Sequence, residues 1–235
     1  MQLGKSLITE LMLGLILFGG AGSRIRAGAA ELDLSRAVVV VPDGLSGPEN
    51  KAVQLLVDEV RARSGIGWDV TIRWPSGAVP VVAVGPARLL RSDTSPVREQ
   101  LGAPPPAGES KDGFQIRTLD GDRGAPAVVV AGNDARGVLF GVGRLLRELR
   151  TSPGRVSLPQ ALNLASAPRY PLRGHQLGYR PKTNSYDGWD LAQWERYLRD
   201  LAVFGTNAIE LIPPRSDDDA DSPHFPLPPI EMMIG

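Results

Sequence analysis

Two histidines, His175 and His224, and an acidic run at residues 217–221 are the first side chains in this 235-residue chain that could do chemistry. Imidazole and carboxylate groups together bind metals or move protons. The histidines are too few and too far apart in sequence for a helical zinc motif of the H-E-x-x-H kind. The segment Ser216-Asp217-Asp218-Asp219-Ala220-Asp221-Ser222 places carboxylates at alternate positions, as a calcium loop does. Its sixth position is Ser222 where glycine is wanted, and its twelfth is Pro228 where a bidentate glutamate is wanted. It therefore reads as a solvated loop, and no metal or other cofactor is expected. His224 reads as a surface loop residue. His175, two residues after Arg173 on a predicted strand, could face a ligand or pack.

Other patterns are excluded by spacing. Gly137, Gly141 and Gly143 do not form G-x-G-x-x-G between a strand and a helix, and no G-K-[ST] follows them. They fall inside a helical stripe, where they would permit close packing. No G-x-S-x-G elbow is present, so a serine hydrolase is not indicated. Tyr179, Tyr186 and Trp189 precede a predicted helix and could stack on a sugar ring, whereas Trp194 and Tyr197 lie on that helix as packing residues. Glu210 is the only carboxylate within the two predicted strands on either side of that helix.

These residues depend on the elements that hold them. Residues 37–41 form a β-branched run closed by Pro42-Asp43-Gly44, a strand and turn. Val53, Leu56, Val57 and Val60 recur at helical spacing between Pro48 and Gly65. Strand-like runs follow at 69–74, 79–84, 114–118 and 127–131. Ala135, Val138, Leu139, Val142, Leu145, Leu146 and Leu149 then make an apolar helical stripe that Asp134 is placed to cap. This order predicts an α+β domain over residues 31–151, an antiparallel sheet with helices on one face. Proline-punctuated residues 152–171 read as a linker. Beyond it, a strand at 172–179, a helix at 190–204 carrying Leu191, Trp194, Leu198 and Leu201 on one face, and a strand at 207–212 make a βαβ unit that begins a parallel architecture.

Composition narrows the function classes. With 26 basic and 26 acidic residues and no basic block, nucleic-acid binding is not expected. Without cysteine there is no disulfide framework, thiolate metal site or cysteine nucleophile. Lys5, the apolar run at 11–18 and the small residues Ala27-Gly28-Ala29 read as an export signal over residues 1–30. The run is far below the roughly 20 residues that cross a bilayer, so no membrane association is expected once the signal is removed. The expected location is periplasmic or secreted.

The segment Arg136-Gly137-Val138-Leu139-Phe140-Gly141-Val142-Gly143-Arg144-Leu145-Leu146 resembles the end of the small α+β domain that precedes the barrel in β-hexosaminidases, α-glucuronidases and related glycoside hydrolases. Pro168-Arg169-Tyr170-Pro171-Leu172-Arg173-Gly174 resembles the entry to their catalytic (β/α)8 barrel. Phe204-Gly205-Thr206-Asn207-Ala208-Ile209-Glu210 is similar to its second strand. The resemblance implies that Arg173 reaches sugar hydroxyls, and that His175, Asn207 and Glu210 match strand ends near the pocket. The hexosaminidase pattern continues to an aspartate where this chain has Gly178, which favours a glucuronidase-like or unassigned relative.

A (β/α)8 barrel takes about 250 residues, whereas 68 run from Pro168 to Gly235. Residues 172–235 are therefore expected to be an incomplete barrel start. In the resembling families the catalytic acids come from later strands, so no catalytic residue is assigned here. Arg173, His175 and Glu210 are the candidate substrate-binding residues. The expected function is the N-terminal portion of an exported glycoside hydrolase with a carbohydrate substrate. The alternative is a non-catalytic carbohydrate-binding or scaffold protein that keeps the α+β domain.

Overall fold

A computed structural model describes residues 31–92, 97–102, 110–120, 124–177 and 189–210. Residues 1–30, expected as an export signal, and Gly178, Tyr179, Tyr186, the acidic run and His224 lie outside the described residues. In chain order the elements are β1 (Leu32–Asp33), β2 (Val38–Val40), α1 (Gly47–Ser64), β3 (Val70–Thr71), β4 (Val81–Pro86), α2 (Ala87–Leu90) and α3 (Arg98–Leu101). There follow β5 (Phe114–Asp120), β6 (Pro126–Gly132), α4 (Ala135–Glu148), β7 (Arg150–Ser152), β8 (Arg155–Leu158) and β9 (Asn163–Ser166). The last three are β10 (Gly174–Gln176), α5 (Leu191–Val203) and β11 (Ala208–Glu210).

The α+β class holds, with a mixed main sheet. Its strand order is β3-β2-β4-β6-β5-β9. Pairings β2 with β3, β2 with β4 and β4 with β6 are parallel, and only β5 with β6 and β5 with β9 are antiparallel. The expected antiparallel sheet is thus confined to one side. The physical reason lies in burial: Val81 to Val84 and Ala127 to Ala131 are buried on both faces, as central strands between two layers must be. Long helices α1 and α4 cover one face, where Val82, Val84, Val128 and Val130 join their apolar residues. The other face is covered by the single turns α2 and α3, whose Leu90 and Leu101 meet Ala83, Val129 and Ala131. Helices therefore occupy both faces, not one.

Residues 152–171, expected as a linker, carry strands. β7 and β8 form a hairpin across Pro153 and Gly154, with Gly154 at φ 73°, and β1 pairs on the outer side of β8. β9 closes the edge of the main sheet beside β5. The prolines that signalled a linker occupy the turns between these short strands.

Local chemistry explains the long helices. The Glu49 carboxylate accepts from the Ser46 N–H at 2.7 Å at the start of α1, and Gly65 at φ 74° ends it. Asp134 Oδ1 accepts from the Gly137 N–H at 2.7 Å to cap α4. Asp190 and Gln193 cap α5 reciprocally, at 2.8 and 2.9 Å.

α5 joins β10 to β11, which pair in parallel as the βαβ reading requires. Its seating differs from the expected stripe: Leu191 is 84% and Leu198 41% exposed, and Val203 is its buried residue. Val203 packs where α4 has Gly143, whose added Cβ would stand 2.5 Å from the Val203 carbonyl oxygen. Gly141 faces the sheet instead, its Cβ position 2.6 Å from Val130 Cγ1. The glycines inside α4 are thus packing residues. Ion pairs fix the other side of α5. Buried Glu59 on α1 holds Arg63 at 2.7 Å and Arg196 at 2.9 Å, while Arg199 lies 3.3 Å from Asp58.

Candidate substrate-binding site

The register of β10 against β11 decides which side chains share a face. His175 pairs with Ile209, and Gln176 with Glu210. Side chains alternate along a strand, so Arg173, His175, Asn207 and Ile209 project to one side and Gly174, Gln176, Ala208 and Glu210 to the other. A Cβ on Gly174 would lie 3.9 Å from Ala208 Cβ, which places those two residues on a common side. The His175 ring meets Tyr197 of α5 edge-on, with centroids 5.8 Å apart. The first set therefore faces the helices. Glu210 and Gln176 are exposed on the face away from α5.

Glu210 ends β11, and its carbonyl oxygen accepts from the Leu177 N–H at 3.2 Å. The carboxyl ends of parallel strands are where α/β architectures place ligands. Glu210 there offers a hydrogen-bond acceptor and Gln176 both a donor and an acceptor, a set suited to neutral hydroxyls. Gln176 was not singled out from the sequence. Only its register beside Glu210 marks it.

The structure places Arg173 elsewhere. Its Nε donates to the Gly205 carbonyl at 2.8 Å, Nη1 to the Tyr170 carbonyl at 2.9 Å, and Nη2 to Asp112 Oδ2 at 2.9 Å. The guanidinium carbon stands 5.0 Å from the Phe140 ring centre on α4. The Arg173 N–H donates to Asn207 Oδ1, tying β10 to β11. These contacts bind the barrel-like unit to the α+β layer.

Asp112 is the centre of that arrangement and carried no sequence signal. It is 3% exposed and sits at φ 61°, a left-handed conformation that aspartate tolerates better than most residues. Its N–H donates to Asp134 Oδ2 at 3.0 Å, linking it to the cap of α4. Arg136 Nε lies 2.8 Å from Oδ1, an ion pair by distance that lacks the alignment of a hydrogen bond. Asn207 Nδ2 donates to Oδ2 at 3.4 Å.

The aromatic residues near the start of α5 pack on one another. Trp189 is 5.2 Å from Trp194 and 5.0 Å from Tyr197 between ring centroids. Trp189 thus joins the packing residues Trp194 and Tyr197. Burial pushes the Tyr197 phenol above its ordinary pKa. Among the described residues no group of three or more His, Asp or Glu could hold a metal ion. No described helix is long and apolar enough to cross a membrane.

No protein-family model matches the chain, and no curated protein matches it. Solved glycoside hydrolases share its fold. CpGH84B matches at a TM-score of 0.54 and 15% identity over 81% of this chain. BtGH115A, a family GH115 4-O-methyl-α-glucuronidase with specificity for decorated arabinogalactans, matches at 0.52 and 18% identity over 76% of this chain. The GH20 β-N-acetylhexosaminidase of Streptomyces coelicolor A3(2) matches at 0.51 and 20% identity over 77%. This chain spans 28%, 25% and 31% of those three proteins. At such identities the likeness is one of fold.

Proposed function

We propose that this chain is a portion of an exported glycoside hydrolase acting in carbohydrate breakdown, with Glu210 and Gln176 facing the sugar. The observation that carries the reading is the parallel β10–α5–β11 unit seated on an α+β layer, with Glu210 and Gln176 on the face away from the helix. Export rests on the apolar run at 11–18 and the small residues that follow it. Arg173 acts by fixing β10 and β11 against the α+β layer, since three of its nitrogens already donate to protein oxygens. His175 supports the same strand through Tyr197.

Most glycosidases use two carboxylates flanking the bond, or one with the substrate's own acetamido group. β10 and β11 carry one, Glu210. These two strands alone do not supply the pair, and this reading takes the chain as catalytically incomplete. The same single carboxylate favours a second reading, a non-catalytic carbohydrate-binding scaffold.

The test is affinity electrophoresis of the full chain through soluble neutral polysaccharides, together with a panel of aryl glycosides. Retardation that weakens in Glu210→Gln, without hydrolysis above a buffer blank, is expected. Hydrolysis above the blank would overturn the incompleteness, and no retardation by any polysaccharide would overturn the carbohydrate reading. To separate the two readings, the complete product of the gene is assayed on the polysaccharide that is bound. Turnover supports the hydrolase, and binding without turnover supports the scaffold.

A further inference from the structure

Most arginines that fix this fold are matched to carboxylates: Arg63, Arg88, Arg136, Arg173, Arg196 and Arg199 all are. Two neighbouring arginines are not. On the sheet face that carries α2 and α3, Arg91 donates Nε to the Gly102 carbonyl at 3.2 Å and Nη2 to Gln115 Oε1 at 2.9 Å. Arg117 of β5 donates Nε to Asn163 Oδ1 at 3.1 Å, and Nη1 to the carbonyls of Leu101 and Gln100 at 2.8 and 3.0 Å. The two guanidinium groups converge on Gly102, whose Cβ position is 3.6 Å from Arg117 Nη1. Neutral oxygens alone orient them. Neither has a carboxylate partner among the described residues.

Two like charges held together without a counter-charge are costly, and an oxyanion relieves that cost. Space for one exists beside Arg91, which lines an open cavity of about 520 Å³ with Arg98, Glu99 and Gly102; Arg117 does not line it and contributes its charge from β5. Arg91 Nη1 makes no hydrogen bond to the described residues, so the side chain keeps donors for a ligand in that cavity. Burial, and then the charge of Arg117, lower the pKa of Arg91. Glu99 lines the same cavity, so its charge opposes an anion there.

We propose that Arg91, with the charge of Arg117 close by, forms an oxyanion site on the α+β layer that takes the carboxylate or sulfate group of an acidic glycan. The glycan part rests on the carbohydrate reading above; the oxyanion part does not. The guanidinium fork matches either group, and the site is separate from the face bearing Glu210. It would hold an acidic chain to the protein while a sugar elsewhere meets Glu210.

The experiment is affinity electrophoresis of the full chain through polygalacturonate, dextran sulfate and neutral dextran, with free sulfate as competitor. Retardation by one or both acidic polymers, weakened at least about tenfold by Arg91→Gln, partly restored by Arg91→Lys and strengthened by Glu99→Gln, is expected. Polygalacturonate alone would identify a carboxylate ligand, and dextran sulfate alone a sulfate ligand. Arg155→Gln, which removes a charge from a distant ion pair with Glu31, should leave retardation unchanged. Thermal melting of each variant shows that it folds. The proposal is overturned if acidic polymers do not retard the chain, if Arg91→Gln binds as well as the parent, or if Arg155→Gln weakens binding as much. Neutral retardation sensitive to Glu210→Gln, with no acidic retardation, would sink this site and leave the carbohydrate reading standing.

Discussion

Asp112 and Arg173, 61 positions apart in sequence, meet at 2.9 Å with the carboxylate almost fully buried. Through this contact the loop before β5 grips the strand that opens the βαβ unit. Arg136 approaches the other carboxylate oxygen from α4. One side chain thus joins the sheet domain, its longest apolar stripe and the first barrel-like strand. The resemblance that pointed to Arg173 as a sugar contact located a residue of consequence, and the structure gives its head group protein partners.

Replacing Asp112 by Asn keeps the shape and tolerates φ 61° but removes the charge shared by two guanidinium groups. Breaking a buried pair costs about 3–5 kcal/mol, and exposed partners cost far less. Arg136 is 55% exposed and Arg173 22%, so a loss of about 2–3 kcal/mol is expected. Urea unfolding followed by circular dichroism measures it. Hydrogen exchange should quicken at β10 and β11 before β4 and β6. A change below about 0.5 kcal/mol would mean that the contact is incidental.

Gly143→Ala sets two effects against each other. Alanine in a helix interior is favoured over glycine by about 1 kcal/mol. The new Cβ, however, would stand 2.5 Å from the Val203 carbonyl oxygen and 2.8 Å from its Cα, both backbone atoms that cannot rotate away. Overpacking of this kind costs about 1–3 kcal/mol, so a net loss and a lower melting temperature are expected. Gly141→Ala provides the contrast, because its nearest neighbour is the side chain of Val130. A higher melting temperature for Gly143→Ala would show that α5 crosses α4 less closely.

The local signals were legible where chemistry is local. Asp134, the apolar residues from Val138 to Leu146 and the buried valines of β4 and β6 announced their elements directly. Strand direction was not legible, because a run such as Val81 to Val84 satisfies a parallel or an antiparallel neighbour equally. β8 and β9 were hidden by the prolines in the turns around them. Asp112 was hidden because nothing near it in sequence shows that Arg173 returns to it. For His175 and Glu210, residue type was readable but orientation was not. That required the register of β10 on β11, which also brought Gln176 beside Glu210.

Tyr197 offers a test of how α5 is seated. Its ring is enclosed by His175, Trp189 and Trp194, and burial raises its phenol pKa from 10.0. The folded protein therefore holds the phenolic proton more tightly than the unfolded chain does. Stability from this residue is fully present below pH 10.0 and is lost as pH rises through the folded-state value. Absorbance titration at alkaline pH, comparing the parent with Tyr197→Phe, should show that the tyrosine signal lost in the variant is a late-titrating one. The variant's melting temperature should fall less steeply with pH above that point. A Tyr197 signal that is not shifted upward would mean that α5 does not close over β10.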